Sequence, residues 1–347
     1  MTRMLMAGVL LASTSFATVA AQADSLTISA WGGTSQEAQR KVYFEPFSKE
    51  TGVSIVEDEF LGGIGVLRTQ AMSGSPTWNI VQVEDQELQL GCEEGLYVPI
   101  NYEMLGIAQD AFIPGAATEC GIGAYVWSKV LGYDASKLEK APQNWADFWD
   151  TTTWPGTRAL RRGPQYNLEF ALIADGVPVA EVYDVLSTPE GVDRAFAKLD
   201  EIKANLIWWE AGAQPLQMMA AGEVVMTSVY NGRVTTSNRA EGTKFVGVWP
   251  GSAYSIDSWV IVDGTPNVET AHAFLKYASD PERQAQLPEY IAYGPTVIDA
   301  VGHVKPETAP LLPTTPANLE VAFEMDTAFW VEHIESLTER FDRWASQ

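Results

Sequence analysis

Basic side chains are the scarce charge in this sequence: 22 lysines and arginines stand against 45 aspartates and glutamates, giving a formal net charge of -23. A nucleic-acid binder needs a basic footprint, so nucleic acid is excluded as a partner. Histidine is scarcer still. His272, His303 and His333 are scattered without ligand spacing and no CxxC occurs, so no metal is expected. Beyond the N-terminus no stretch reaches the ~18 uninterrupted apolar residues of a membrane helix. The short motifs of common enzymes are missing too: GxSxG, HExxH, the P-loop and GxGxxG. The glycines of "GGIG" at 62–65 have the wrong spacing for a dinucleotide loop and read as a turn. No catalytic residue and no cofactor is expected.

Cysteine occurs only twice, as Cys92 and Cys120. The N-terminus says which redox compartment applies. Arg3 sits in a short basic start, "MLMAGVLLA" is apolar, and "AQA" at 21–23 is a small-x-small cleavage signature. That order is a secretory signal peptide cleaved after about Ala23, and it implies a periplasmic protein. In an oxidising compartment an even cysteine pair reads as a disulfide. Closing a loop of about 28 residues, it would stabilise by roughly 3 kcal/mol in the chain-entropy model.

What remains is long enough for two domains and rich in alternating α and β signals. "SLTISAW" (25–31) has the look of a strand, and a helix follows Gly32-Gly33 as far as Gly52. "VSIVEDEF" (53–60), "IGVLRTQAMSG" (64–74), "NIVQV" (79–83) and "DQELQLGCEEG" continue strand, helix, strand, helix. The middle repeats the theme. "AYVWSKVLGYD" (124–134), "TRALRRGP" (157–164), "VVMTSVY" (224–230) and "SIDSWVIVDG" (255–264) are extended; amphipathic helices lie between them. A long helix is expected over 267–287, capped by Asn267. Two α/β halves without a flexible tether predict parallel or mixed sheets and a chain that crosses between lobes more than once.

The order of the segments is more specific than any one of them. "LTISAWGG", "PFSKETGVSIVED", "AMSGSPTWNIVQVE", "GLYVPIN", "WSKVLGYD", "PQNWADFWD", "LQMMAAGEVVMTSVYNGRV", "AYSIDSWVIV" and "AHAFLKYASDPERQAQLPEYIAYGPT" follow one another along essentially the whole mature chain. This resembles the periplasmic solute-binding proteins of ABC importers, the spermidine/putrescine-binding branch in particular. The resemblance implies a two-lobe, hinged fold of the Venus-flytrap type. Its first lobe would run over 24–127 plus 256–300 and its second over 128–255 plus 301–347. It implies a monomer that captures a small amine-bearing solute, a polyamine such as putrescine or spermidine, and delivers it to a membrane permease.

Carried onto this sequence, the family's cleft residues fall on Trp31, Glu84, Tyr230, Asp257, Trp259 and Tyr293, with Asn167 and Glu169 as further contacts. Asp257 matches the family's ammonium-binding aspartate. Each has a blander alternative: Trp31 and Tyr293 packed in a core, Glu84 capping the next helix, Glu169 complementing a helix dipole. Of Trp208 and Trp209, adjacent on a strand, at most one faces the cleft. Gln214 is a weaker candidate.

Two positions depart from the family: Glu84 stands where polyamine binders often have a serine, and Arg233 where they tend to carry a carboxylate. A guanidinium stays charged and must meet an anion. Either it meets a cleft carboxylate as a closure latch, or the ligand is a zwitterion such as an ω-amino acid or aminophosphonate. Two other classes stay open at this point. Paired carboxylates could serve a secreted carbohydrate-active enzyme and the twelve tryptophans could line its sugar cleft, and the same fold serves chemosensory signalling.

Overall fold

The computed structural model describes residues 25–346; the signal peptide expected over 1–23 lies outside the described residues. Nine strands form one connected sheet: β1 (Ser25–Ala30), β2 (Ser54–Glu59), β3 (Ile80–Glu84), β4 (Gly121–Asp134), β5 (Arg158–Arg161), β6 (Leu206–Trp209), β7 (Met226–Tyr230), β8 (Phe245–Ile261) and β9 (Phe323–Glu324). Their order is β2-β1-β3-β8-β4-β7-β5-β6, with β9 beside β8. Within each half three strands run parallel, and β4 and β8 pair antiparallel along almost their whole lengths. β3 pairs with the last residues of β8, whereas β7 pairs with the last residues of β4. The two long strands therefore join the lobes, and one sheet passes between halves that the sequence suggests as separate sheets.

The central strands are buried because helices cover both faces. Ile80, Val81 and Val83 are buried, as are all fourteen residues of β4. β8 begins ten residues before the expected start at Ser255, since "FVGVWPGSAY" continues the pairing with β4 past a register shift between Lys129 and Leu131. The long helix expected at 267–287 is three short ones: Val268–Ala278, Pro281–Gln284 and Leu287–Tyr290. Pro281 disfavours helix at the residue before it. Asp280 is extended there and caps the new helix, its carboxylate accepting from the Arg283 N–H at 3.0 Å. Asn267 holds the N-cap position of the first of these helices but makes no side-chain capping bond; its side chain donates to the Ser25 carbonyl instead.

Cys92 and Cys120 form a disulfide across a separation of 28 residues, fixing the end of helix Asp85–Glu93 to the approach to β4. The C-terminal helix Thr327–Ala345 packs on the second lobe. Trp344 and Phe341 meet Trp208, and Trp330 reaches Glu169. Among the described residues no helix is long and apolar enough to cross a membrane, and no histidine, cysteine and carboxylate cluster could hold a metal.

Candidate functional site

The strands deliver their carboxyl ends to a cleft between the lobes, the position where open α/β sheets bind ligands. It encloses about 560 Å³. Trp31, Glu84, Tyr230, Arg233, Asp257 and Tyr293 line it, together with Tyr125, Trp127, Arg161, Arg162 and Gln214.

The first-lobe wall is acidic. Glu84 and Asp257 sit opposite each other in the β3–β8 ladder, and Tyr125 faces Asp257 across β4. One row of the sheet thus presents two carboxylates and a phenol. Asp257 is buried, and both its oxygens are engaged: Oδ1 accepts from Trp127 Nε1 at 2.6 Å, and Oδ2 from Gln82 Nε2 at 2.8 Å. Gln39 donates in turn to Gln82, so the carboxylate is held from behind. Burial, reinforced by neighbouring Glu84, holds the Asp257 carboxyl well above the usual carboxylate range. Behind it, burial pushes Asp85 up to about 6 and Glu87 up to about 7.

Glu84 plays both roles the sequence offered. It stands immediately before helix Asp85–Glu93, where its N–H donates to Glu87 Oε2 at 3.2 Å, and it also lines the cleft. Trp31 is half-buried against Phe60, and its indole N–H has no partner. Tyr293 packs its ring on Tyr125 with centroids 4.6 Å apart, and Ser35 meets the Tyr125 hydroxyl at 2.9 Å.

The second-lobe wall is basic. No turn follows β7: helix Asn231–Glu241 begins directly after Tyr230, which puts Arg233 in its first turn. Asn231 ties this junction to both neighbours, accepting from the Ser128 N–H and donating to the Ala292 carbonyl. Arg233 is buried, and its Nε–H has no hydrogen-bond partner. Two glycines make room for the guanidinium. A Cβ on Gly33 would lie 3.0 Å from Nη1, and one on Gly212 would lie 3.0 Å from Nε. Gly33 belongs to the first lobe, so Arg233 spans the cleft.

Arg161 ends β5 beside it. Its Nη1 stands 3.9 Å from Glu84 Oε1, an ion pair between the lobes, and 3.5 Å from the Tyr230 hydroxyl. Arg158 anchors the other end of this strand by donating to the carbonyls of Phe148, Asp150, Trp154 and Gly156. The ion pair to a cleft carboxylate considered for Arg233 is made by Arg161 instead. At the mouth, Arg162 pairs with Asp342 at 2.8 Å.

Three expected contacts do not line the cleft. Asn167 is buried and donates to the carbonyls of Arg161 and Gly163, each at 2.7 Å, so it braces the arginine turn from below. Glu169 is buried two residues further along the helix, accepting from Tyr183 and Trp330 at 2.9 and 2.7 Å. Trp259 shares the face of Asp257 but lies two residues deeper, edge-on to Phe44 and Phe274. Neither Trp208 nor Trp209 reaches the cleft surface: the first packs on the C-terminal helix, the second behind Tyr230. Gln214 does line it, its Oε1 accepting from the N–H groups of Glu210 and Ala211. Arg161, Arg162, Tyr125 and Trp127 were missed. "TRALRRGP" carried the same strand-end signal as "VVMTSVYNGR" and should have placed Arg161.

Comparison with known proteins agrees with this architecture. Residues 43–314 match the family model described as bacterial extracellular solute-binding protein. A γ-aminobutyric acid-binding protein from Pseudomonas aeruginosa is 46% identical over 327 residues, covering 94% of this chain and 92% of the relative. The solved structure of the Atu4243 GABA receptor is similar with a TM-score of 0.81 at 31% identity, over 93% of this chain and 98% of that one. A spermidine/putrescine ABC transporter substrate-binding protein from Streptococcus pneumoniae shares the fold, with a TM-score of 0.72 at 19% identity, over 93% and 100%. The chain belongs to the bacterial extracellular solute-binding proteins, and it is a ligand-capturing component of an ABC importer rather than an enzyme.

Proposed function

We propose that the cleft binds a short zwitterion of the ω-amino acid class, such as γ-aminobutyrate, with its carboxylate on Arg233 and its ammonium toward Asp257 and Glu84. The observation that carries this reading is the pair of oppositely charged walls. Glu84 and Asp257 are adjacent on the first lobe, while Arg233 lines the second with an unpaired buried N–H. A buried donor without a partner costs about 1–3 kcal/mol, which a ligand carboxylate would recover. Trp31, Trp127 and Tyr230 would enclose the methylenes and add cation–π attraction for the ammonium.

A polyamine fits less well. Its second ammonium would lie against Arg233 and Arg161 instead of a carboxylate, an arrangement that costs several kcal/mol. The relatives named for γ-aminobutyrate support the same choice. In this reading an exported protein delivers the amino acid to its permease as the lobes close on it. The Arg161–Glu84 pair, which joins the two walls at 3.9 Å, would tighten with closure.

Isothermal titration with γ-aminobutyrate, putrescine and spermidine tests the assignment. Affinity for γ-aminobutyrate should exceed that for either polyamine by at least a hundredfold. Putrescine or spermidine binding as tightly as γ-aminobutyrate would reject the zwitterion.

A further inference from the structure

One buried charge is not used by the cleft as described. Lys129, in β4, is fully buried and its Nζ has no hydrogen-bond partner. Its ammonium is enclosed by four rings: Tyr166 at 3.8 Å from the centroid, Tyr230 at 5.2 Å, Trp209 at 5.6 Å and Trp127 at 5.9 Å. Tyr230 and Trp127 present themselves to the cleft, so Lys129 lies one aromatic layer beneath its floor. It pairs with Tyr230 across the ladder and stands at the register shift of the long β4–β8 pair. Tyr166, the nearest ring, is the only non-glycine residue with a positive φ among the described residues, at 69°. A lysine without a hydrogen bond in such a place is costly to bury, and an apolar side chain would pack there without that cost.

We propose that Lys129 is a specificity residue that acts through the aromatic floor, supplying positive potential that favours a ligand carboxylate beside Arg233 and disfavours a second ammonium. This rests on the zwitterion reading and extends it to a group that does not touch the ligand. A cation below low-dielectric rings is poorly screened, so its field reaches the cleft.

The charged and titratable groups that face Lys129 fix the sign of its pH response. Tyr230 faces it from β7, Arg161 from β5, Glu84 from β3, and Tyr166 and Glu169 from the start of helix Asn167–Ala174. Burial, and then the Arg161 guanidinium, hold the Lys129 ammonium well below the usual lysine range; Glu84 and Glu169 act the other way. A carboxylate arriving above it stabilises the charged form, so ligand binding draws a proton onto Lys129. Its contribution to affinity therefore falls as pH rises. Asp257 and Glu87 act oppositely, since an ammonium ligand favours their ionised forms, and they remain when Lys129 is replaced.

The test is titration calorimetry of Lys129→Met and the parent protein with γ-aminobutyrate and putrescine, at pH 6 and 8 and in buffers of different ionisation enthalpy. The variant should bind γ-aminobutyrate at least fivefold more weakly, and its γ-aminobutyrate-to-putrescine affinity ratio should fall at least tenfold. Its affinity should rise more steeply with pH, and it should take up fewer protons on binding. Equal losses for both ligands with unchanged proton uptake would make Lys129 a packing residue and overturn the proposal. If the parent binds no carboxylated ligand, the zwitterion reading fails first, and this one with it. Carbon NMR of lysine side chains in the parent needs no substitution. One lysine should titrate below the rest and move upward with γ-aminobutyrate; a set of lysines that all titrate normally also overturns the proposal.

Discussion

Arg233 decides the chemistry of the cleft. A guanidinium buried between Gly33 and Gly212, with its Nε–H unpaired, is poised for an anion and cannot discharge itself. Arg233→Ala should weaken γ-aminobutyrate binding by ~2–5 kcal/mol, the usual cost of truncating one side of a buried charge pair. Arg233→Lys should recover only part of that, because a point charge replaces the bidentate fork. Calorimetry on the two variants gives the order of affinities; a lysine variant as tight as the parent would argue against a bidentate carboxylate. Trp31 and Glu84 were legible because they fall at the ends of β1 and β3, where position places them near a cleft; Asp257, inside β8, and Tyr293, outside the strands, were legible through the family resemblance. Asn167, Glu169 and Trp259 mark the limit of that reasoning. Being close in sequence to a cleft-bearing turn does not say whether a side chain points up into the cleft or down into its supports. Only the partners do: backbone carbonyls for Asn167, Tyr183 and Trp330 for Glu169, Phe44 and Phe274 for Trp259.

At the level of elements, the alternation of strands and helices was readable nearly throughout, because buried strands such as β3 and β4 are predominantly apolar. Two features were not. β8 extends back to Phe245 because its partner β4 continues, a long-range pairing that no local pattern encodes. Helix Asn231–Glu241 follows β7 without a turn, although Asn-Gly is the strongest short turn signal. Asn231 is instead a strut between Ser128 and Ala292. The cysteine pair was legible from compartment logic. Replacing Cys92 and Cys120 together with alanine should cost ~2–4 kcal/mol and lower the melting temperature by about 5 °C. Because the bridge holds the far end of helix Asp85–Glu93, ligand affinity should change less than about twofold, within the additivity of distant sites. A large loss of affinity would mean that the helix end controls the cleft.

For the molecule as a whole, the charge pattern carries more information than the net charge of -23. Most carboxylates solvate the surface. A few converge on the first lobe's side of the cleft, and the scarce arginines converge on the other, with Arg161 and Glu84 within 3.9 Å across it. Closure therefore brings unlike charges together, and a zwitterion aligned with the walls completes both. Composition alone argued only against polyanions; the apportioning of charge between lobes appears once the chain is folded. The central claim is that this polarity orients the ligand. A crystal structure with γ-aminobutyrate bound tests it most directly. The ligand carboxylate should lie within hydrogen-bond distance of the Arg233 guanidinium, with its ammonium against Asp257 or Glu84. A ligand bound in the reverse sense, or one whose carboxylate leaves Arg233 unpaired, would contradict it.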